Sequence, residues 1–419
     1  MNRTRIFYML LCMVFLFQCG KKQQPNELRF SVWGGDVERR IWMKTIEAFE
    51  KEYPRIKVNL DVISSGYQDK LQSMLASGTA PDVFYVDHSS LFYNLAAKDM
   101  LLNLDPYLEK DKEFNINDYF PQALAMFRLN GCLYAFPKDL HTFVVYYNKD
   151  VFDASGIKYP EPGWNWDQFL EISKKLTRDA DKDSISDQTG FLWDPRYWVM
   201  LVHQNKGRIF DLPRKRSLLG DKKVIEAISF LNDCLNKYKV CFNPNSVKYE
   251  EMNQMFALGR IAMYISGVWV GAEFRQQKFN WDIVPLPRGK VKATGLVGSG
   301  CVIYSKSKHP EEAYLFARFT VQEEAEKIYA QLGVSIPTLK SVAYSGSFLN
   351  PSLAPAHANV FLDEIRYGKT IEYDDFIQGK EIHDNIIKPG LDRIWFDKHD
   401  PGTVCREMDK AVQAFFPRP

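Results

Sequence analysis

Apolar and polar positions in the N-terminal third of the chain switch repeatedly between two periods. Leu28–Trp33 is a short apolar-rich run that ends at Gly34-Gly35. Trp42, Ile46, Phe49 and Tyr53 then recur at helical spacing, the apolar face of a helix capped by Asp36 and ended by Pro54. Ile56, Val58, Leu60 and Val62 alternate with polar residues, the period of a strand. Tyr67, Leu71, Met74 and Leu75 return to helical spacing, with Gly78 as the stop. Pro81-Asp82 turns into a buried strand, Val83–Val86, which ends at Asp87-His88, and a further helix runs through Leu91 and Leu95. The order β-α-β-α-β-α predicts a mainly parallel sheet flanked by helices. Ligands of such sheets sit at the carboxyl ends of the strands, which places Trp33, Asp36, Asp87 and His88 on one edge.

The stretch Leu133–Asp150 reads as the passage to a second lobe. Leu133–Phe136 and Thr142–Tyr147 have strand composition, and Pro137 interrupts the run between them because it fixes φ and lacks a ladder donor. Charged Lys138 and Asp139, then His141, lie in the gap. Beyond it, helices are predicted over 166–176, 197–204, 222–238 and 250–258, followed by a strand at Ile261–Ile265 that turns through Gly267-Val268-Trp269. Trp281–Val284 and Gly300–Tyr304 read as strands returning to the first lobe, with Gly295-x-x-Gly298-x-Gly300 as a loop that admits close backbone approach. That glycine run precedes a strand and is no dinucleotide fingerprint. The C-terminal helices, 354–367, 381–396 and 403–415, are expected mainly on the second lobe. The predicted class is α/β in two lobes with a ligand cleft between them. The first lobe comprises 28–137 and 285–337, and the second 138–284 and 338–419.

Composition narrows the function. The aromatic load is heavy, 9 Trp, 21 Tyr and 29 Phe; most of these rings must be core, but the count leaves several for a binding surface. Formal charge is only +2, so nucleic acid is not expected as a partner. Arg3 and Arg5 precede an apolar run, Ile6–Phe17, that is too short to span a bilayer and has the form of a secretory signal over residues 1–18. Cys19 directly after it has the place of a bacterial lipoprotein's lipidated cysteine, although Phe17 and Gln18 replace the usual small residues. Residues 19–27 would then be a lipidated tether, with the folded body outside the cytoplasm. An uncleaved anchor, or ordinary secretion with an incidental Cys19, is the alternative. No C-x-x-C pair exists; Cys234 and Cys241 are either a disulfide in an oxidising compartment or two buried thiols. Asp179, Asp181, Asp183 and Asp187 have calcium-loop spacing, but Ser184 replaces the turn glycine and the last glutamate is missing. The segment is either a structural Ca²⁺ site or a solvated acidic loop.

Several motifs in order resemble one family. They are Leu71-x-x-Met74-Leu75-Ala76-Ser77-Gly78-x-Ala80-Pro81-Asp82-Val83, then Tyr146-Tyr147-Asn148-Lys149-Asp150-x-Phe152, Trp164-x-Trp166, and Leu258-Gly259-Arg260-x-Ala262-Met263 running into Gly267-x-Trp269. Trp281-Asp282-x-x-Pro285-Leu286-Pro287 and Lys308-His309-Pro310-Glu311-Glu312-Ala313 continue the series. The chain resembles the extracellular solute-binding proteins of ABC sugar importers, the maltose-binding-protein-like group, over Leu28–Pro337. The resemblance implies a type II-like periplasmic-binding-protein fold, a sugar ligand, permease transmembrane subunits as partners, no cofactor and a monomer. It also implies ligand contacts from Trp33, Asp36, Asp87 and His88 on one lobe and Tyr146, Trp164, Trp198 and Trp269 on the other. Each has an ordinary structural reading too: Trp33, Trp164 and Trp198 as core, and Asp36 as a helix cap. Among enzyme signatures there is no G-x-S-x-G, H-E-x-x-H or P-loop. A polysaccharide-acting lipoprotein with paired cleft carboxylates is the alternative function.

Overall fold

A computed structural model describes residues 26–179, 186–242 and 248–416. Its first half follows the periods of the sequence: β1 (Asn26–Trp33), α1 (Asp36–Glu52), β2 (Ile56–Ile63), α2 (Tyr67–Ala76), β3 (Val83–Asp87) and α3 (Ser90–Ala97). β1 begins inside the segment expected to be tether. Phe30 packs edge-on against Trp42 and Phe316 at 4.7 and 4.9 Å, and Phe49 joins them, so the α1 face read from spacing is the face that is buried.

The next strands are β4 (Ala135–Thr142), β5 (Val144–Asn148), β6 (Thr189–Trp193), β7 (Ile261–Ser266), β8 (Trp281–Pro285), β9 (Thr294–Ile303) and β10 (Ile336–Pro337). The first sheet runs β10-β4-β9-β3-β1-β2, with a short strand at Gly368–Lys369 pairing on β9. The second runs β8-β5-β7-β6. The expected parallel pairing holds for β1 with β2 and β3, and for β7 with β6. β9, β4 and β10 pair antiparallel, as do β5, β7 and β8, so both sheets are mixed. Chain returns from the other lobe, rather than βαβ crossovers, supply these strands, and a return can enter in either direction.

Two local readings are corrected. Pro137 does not interrupt a strand: β4 passes through it, and the ladder absorbs the missing donor by a register shift between Ser299 and Gly300. The Pro137 carbonyl accepts from the Thr338 hydroxyl at 2.7 Å. The glycine run 295–300 is no loop but the body of β9. A Cβ at Gly298 would lie 2.6 Å from the Asp139 carbonyl oxygen, and one at Gly300 2.8 Å from that of Phe136. Glycine is therefore required by the closeness of β4.

The chain crosses between sheets at Phe143, where β4 ends and β5 begins, so residues 138–142 belong to the first sheet and not the second. The C-terminal part is also shared. Val342, Ala343, Phe348 and Phe361 join the core of the first sheet, while Ile371, Ile387, Leu391 and Val404 join the other. β5 alternates between the two cores, Val144 and Tyr146 facing one, Val145 and Tyr147 the other. The cores thus meet across the second sheet. Cys234 and Cys241 are both buried free thiols. Cys19, Asp181 and Asp183 lie outside the described residues, and among those described no three metal-ligating side chains gather.

Candidate functional site

The strand ends of both sheets enclose a cavity of about 410 Å³ where β4 passes into β5, within the range of small-ligand sites. From the first sheet it is lined by Trp33, Asp87, His88, Lys138, Asp139 and His141; Arg196, Trp269 and Asp374 face them.

Asp139 is the hub of the floor. It is 4% exposed and accepts from the Ser299 N–H at 2.7 Å and the Ser299 hydroxyl at 2.9 Å. Lys138 donates to it at 3.2 Å, Tyr85 donates a short hydrogen bond, and His141 Nε2 stands 3.4 Å away. Burial by itself would raise the carboxyl, but Lys138, His141 and these donors together hold it far below the usual carboxylate range. The Lys138 ammonium also lies 4.2 Å from the centroid of the Tyr329 ring, a cation–π contact in a desolvated place. Sequence reading noticed Lys138, Asp139 and His141 but left them out of the site. The available signal was charge inside a wholly buried strand, which is rare unless paired.

The walls are aromatic. Trp33, at the end of β1, stacks on Tyr85 with centroids 4.1 Å apart and meets Tyr67 edge-on at 5.5 Å. The Tyr67 hydroxyl bridges the Ser31 and Tyr85 carbonyls, tying β1 to β3 beneath the indole. Opposite, Trp269 sits on the turn after β7. Its ring lies so close over Gly267 that a Cβ there would fall 2.0 Å from Cζ3. His141 and Phe143 meet the same indole edge-on at 5.1 and 5.6 Å, and the Arg196 guanidinium lies 5.4 Å from its centroid. Arg196 makes two parallel 2.8 Å bonds to Asp194. Burial disfavours its charge, but Asp194 outweighs burial and keeps it protonated. Arg196 lies just past β6, beyond Asp194 and Pro195, and the sequence reading placed no strand there.

Burial raises the Asp87 carboxyl above its ordinary value, although the Ser89 hydroxyl donates to it at 2.9 Å. Burial also lowers His88 to about 4, so its imidazole is neutral; Nε2 lies 3.2 Å from the Tyr93 hydroxyl. Asp374 is pushed up to about 8 by burial and by the charge of Asp87, against the opposing pull of Arg196. Nothing in the sequence around Asp374 marked it, because the contact depends on how the C-terminal segment returns.

Of the eight residues expected at the ligand, Trp33, Asp87, His88 and Trp269 line the cavity. The other four do not. Asp36 is exposed on the first turn of α1, and Glu38 takes the capping role instead, accepting from the Gly35 N–H at 2.8 Å. Tyr146 is fully buried and donates to the Gly267 carbonyl at 2.8 Å, so it supports the Trp269 turn from behind. Trp164 donates from Nε1 to the Pro285 carbonyl at 2.8 Å, fixing the end of β8. Trp198 is 1% exposed within the second core. Their motifs position the cleft without lining it.

The family described as "Bacterial extracellular solute-binding protein" matches residues 35–327. An arabinooligosaccharide-binding protein of Bacillus subtilis (strain 168) is 26% identical over 332 residues, covering 74% of this chain and 73% of the relative. An ABC substrate-binding protein from Listeria monocytogenes, solved in complex with cycloalternan, superposes with a TM-score of 0.84 at 25% identity, covering 93% of this chain and 99% of that one. A solute-binding protein from Thermotoga lettingae bound with α-D-tagatose shares the fold with a TM-score of 0.81 at 20% identity, covering 94% and 100%.

Proposed function

We propose that this chain, which belongs to the bacterial extracellular solute-binding protein family, captures a sugar or oligosaccharide between its lobes and delivers it to the transmembrane subunits of an ABC importer. The observation that carries this reading is the facing of Trp33 and Trp269 across a cavity that also holds Asp87, Asp139 and Arg196. Sugar rings have apolar faces that pack on indoles and hydroxyl rims that pair best with charged acceptors and donors. The oligosaccharide-binding relative and the cycloalternan complex support the same ligand class. In this reading the protein works outside the cytoplasm as a monomer, held to the membrane by lipid on Cys19, without a cofactor and without cleaving its ligand.

A thermal-shift panel of mono- and oligosaccharides tests it, because a ligand that binds only the folded state raises the melting temperature. The panel should contain a sugar that raises the midpoint and is recovered intact after long incubation. Cleavage of the hit would favour the polysaccharide-acting alternative, and a panel without any shift would remove sugars as the ligand class.

A further inference from the structure

We propose that Asp87 and Asp374 form a carboxylate pair across the cleft that takes up a proton when the lobes close, and that the pair restricts the cleft to ligands without an anionic group. The inference rests on the sugar-receptor reading and deepens it.

The two carboxyls come from opposite sides. Asp87 ends β3 in the first sheet, and Asp374 ends the short helical turn Glu372–Asp374, whose Tyr373 belongs to the second core. Both line the same cavity, whose wall holds the two cations Lys138 and Arg196 against the four carboxylates Glu38, Asp87, Asp139 and Asp374. Neither cation is free to neutralise the pair. Lys138 is held by Asp139 at 3.2 Å, and Arg196 is held by Asp194 through two 2.8 Å bonds. Asp374 cannot readily swing away. Glu372 anchors its turn by accepting from the Ile209 and Phe210 N–H groups at 2.9 and 2.7 Å, and Tyr373 stacks on His383 at 4.3 Å.

The charged groups facing Asp374 are Asp87, Arg196, Asp375 and Lys380. Asp375 lies 3.6 Å from His88, which burial keeps neutral, and Lys380 donates to Asp384 at 2.6 Å. Negative charge therefore predominates around Asp374, and two like charges in a desolvated site favour protonation of one of them. Burial and Asp87 bring Asp374 to about 8 as the lobes stand in this structure, taken here as the closed arrangement. Once the lobes part and water enters, its affinity for a proton falls toward that of an ordinary carboxyl. Closing at neutral pH thus draws a proton from solvent onto Asp374. A neutral ligand hydroxyl can then donate to Asp87 or accept from protonated Asp374. A phosphate or uronate would instead add charge to a wall that already needs a proton to form.

The test uses calorimetry on the mature protein with maltotriose and arabinotriose as neutral probes, each beside a uronate-terminated and a phosphorylated counterpart. Titration at pH 7 in buffers of different ionisation enthalpy counts protons. Wild type is expected to take up close to one proton per neutral sugar bound, with affinity falling as pH rises from the ordinary carboxyl range to about 8 and levelling off above it. Asp374→Asn should abolish most of that uptake and Asp87→Asn should reduce it, effects that simple loss of packing would not produce. The anionic counterparts should bind at least about tenfold more weakly. Sugar binding by wild type without proton uptake, unchanged uptake in both variants, or an anionic counterpart bound as tightly as its neutral partner would overturn the inference alone. If neither these probes nor any sugar of the thermal-shift panel binds, the sugar reading fails and takes this inference with it.

Discussion

Asp139→Asn isolates the electrostatics of the cleft floor. The side chain is nearly isosteric, so packing changes little, while the anion beside a buried ammonium disappears. Asp139 and Lys138 are 4% and 7% exposed, too buried for water to take over the missing charge. Glu326 also lies near Lys138, but burial pushes its carboxyl well above the usual range despite donors from Thr338, so it is a poor substitute anion. Breaking a buried pair by removing one partner costs about 3–5 kcal/mol. The asparagine oxygen can keep the Ser299 N–H bond, which argues for the lower end, about 3 kcal/mol. Urea denaturation of the ligand-free protein measures this as a lowered midpoint at unchanged slope. Adding Lys138→Met removes the stranded cation and should restore roughly 2 kcal/mol, and the double-mutant coupling exceeds that amount by the cost of Lys138→Met alone. The pH dependence follows with its sign. A carboxyl held below its unfolded value contributes stability that is present above that value and is lost as pH falls toward its folded one. Asp139→Asn should therefore flatten the strongly acid limb of the stability curve. An Asp139→Asn protein within about 1 kcal/mol of wild type, or a double variant less stable than the single, would refute the account of Asp139 as the counter-ion of Lys138.

Three further outcomes are expected. Trp269→Ala should weaken binding of the sugar found by the panel by roughly 2–4 kcal/mol in calorimetry, with the ligand-free protein's urea midpoint little changed; a stability loss of about 3–5 kcal/mol with normal affinity would make the indole a core residue instead. Burial lowers His88 to about 4, so its contribution to stability is complete above about 6.5 and is lost as pH falls through about 4; His88→Gln should reduce the slope of unfolding free energy between those values, and an unchanged slope would mean the imidazole is hydrated. Cys19→Ser should move the protein from the detergent phase to the aqueous phase, or leave its precursor uncleaved, in a cloud-point partition of whole cells; wild type already found in the aqueous phase would end the lipid-anchor proposal.

The elements of the first lobe were legible because α1 and β2 each repeat at one period over several turns or residues. The strand-end rule also reached Trp33, Asp87 and Trp269, since each follows a run whose direction the sequence defines. The family pattern, carried over by position, did not bring Tyr146 to the cavity because residues facing either way from a doubly buried strand look alike, and Tyr146 faces backward, toward the Gly267 carbonyl. The same pattern did not bring Trp164 or Trp198 there because an indole that fixes a strand end or fills a core carries the same local signature as one that stacks on a ligand. Pro137 misled for a different reason. Its missing donor is absorbed by the register shift in β9, which a strand about 160 residues later supplies. Asp374 had no local signal, since only the packing of the C-terminal segment brings it opposite Asp87.

The place of β9 in the first sheet bears on when that sheet can form. β9 lies between β3 and β4, the two strands it bonds on either side, yet β4 ends at Thr142 and β9 starts only at Thr294. Until that later segment has left the ribosome, β3 and β4 have no neighbour at their facing edges, and β4 and β10 cannot join β1–β3. Contacts of such long sequence separation form slowly, because the intervening loop must close before any pairing rewards it. The nascent chain therefore carries an open sheet through most of its synthesis. In any export that carries the chain unfolded, that delay would keep it transportable without relying on a chaperone alone.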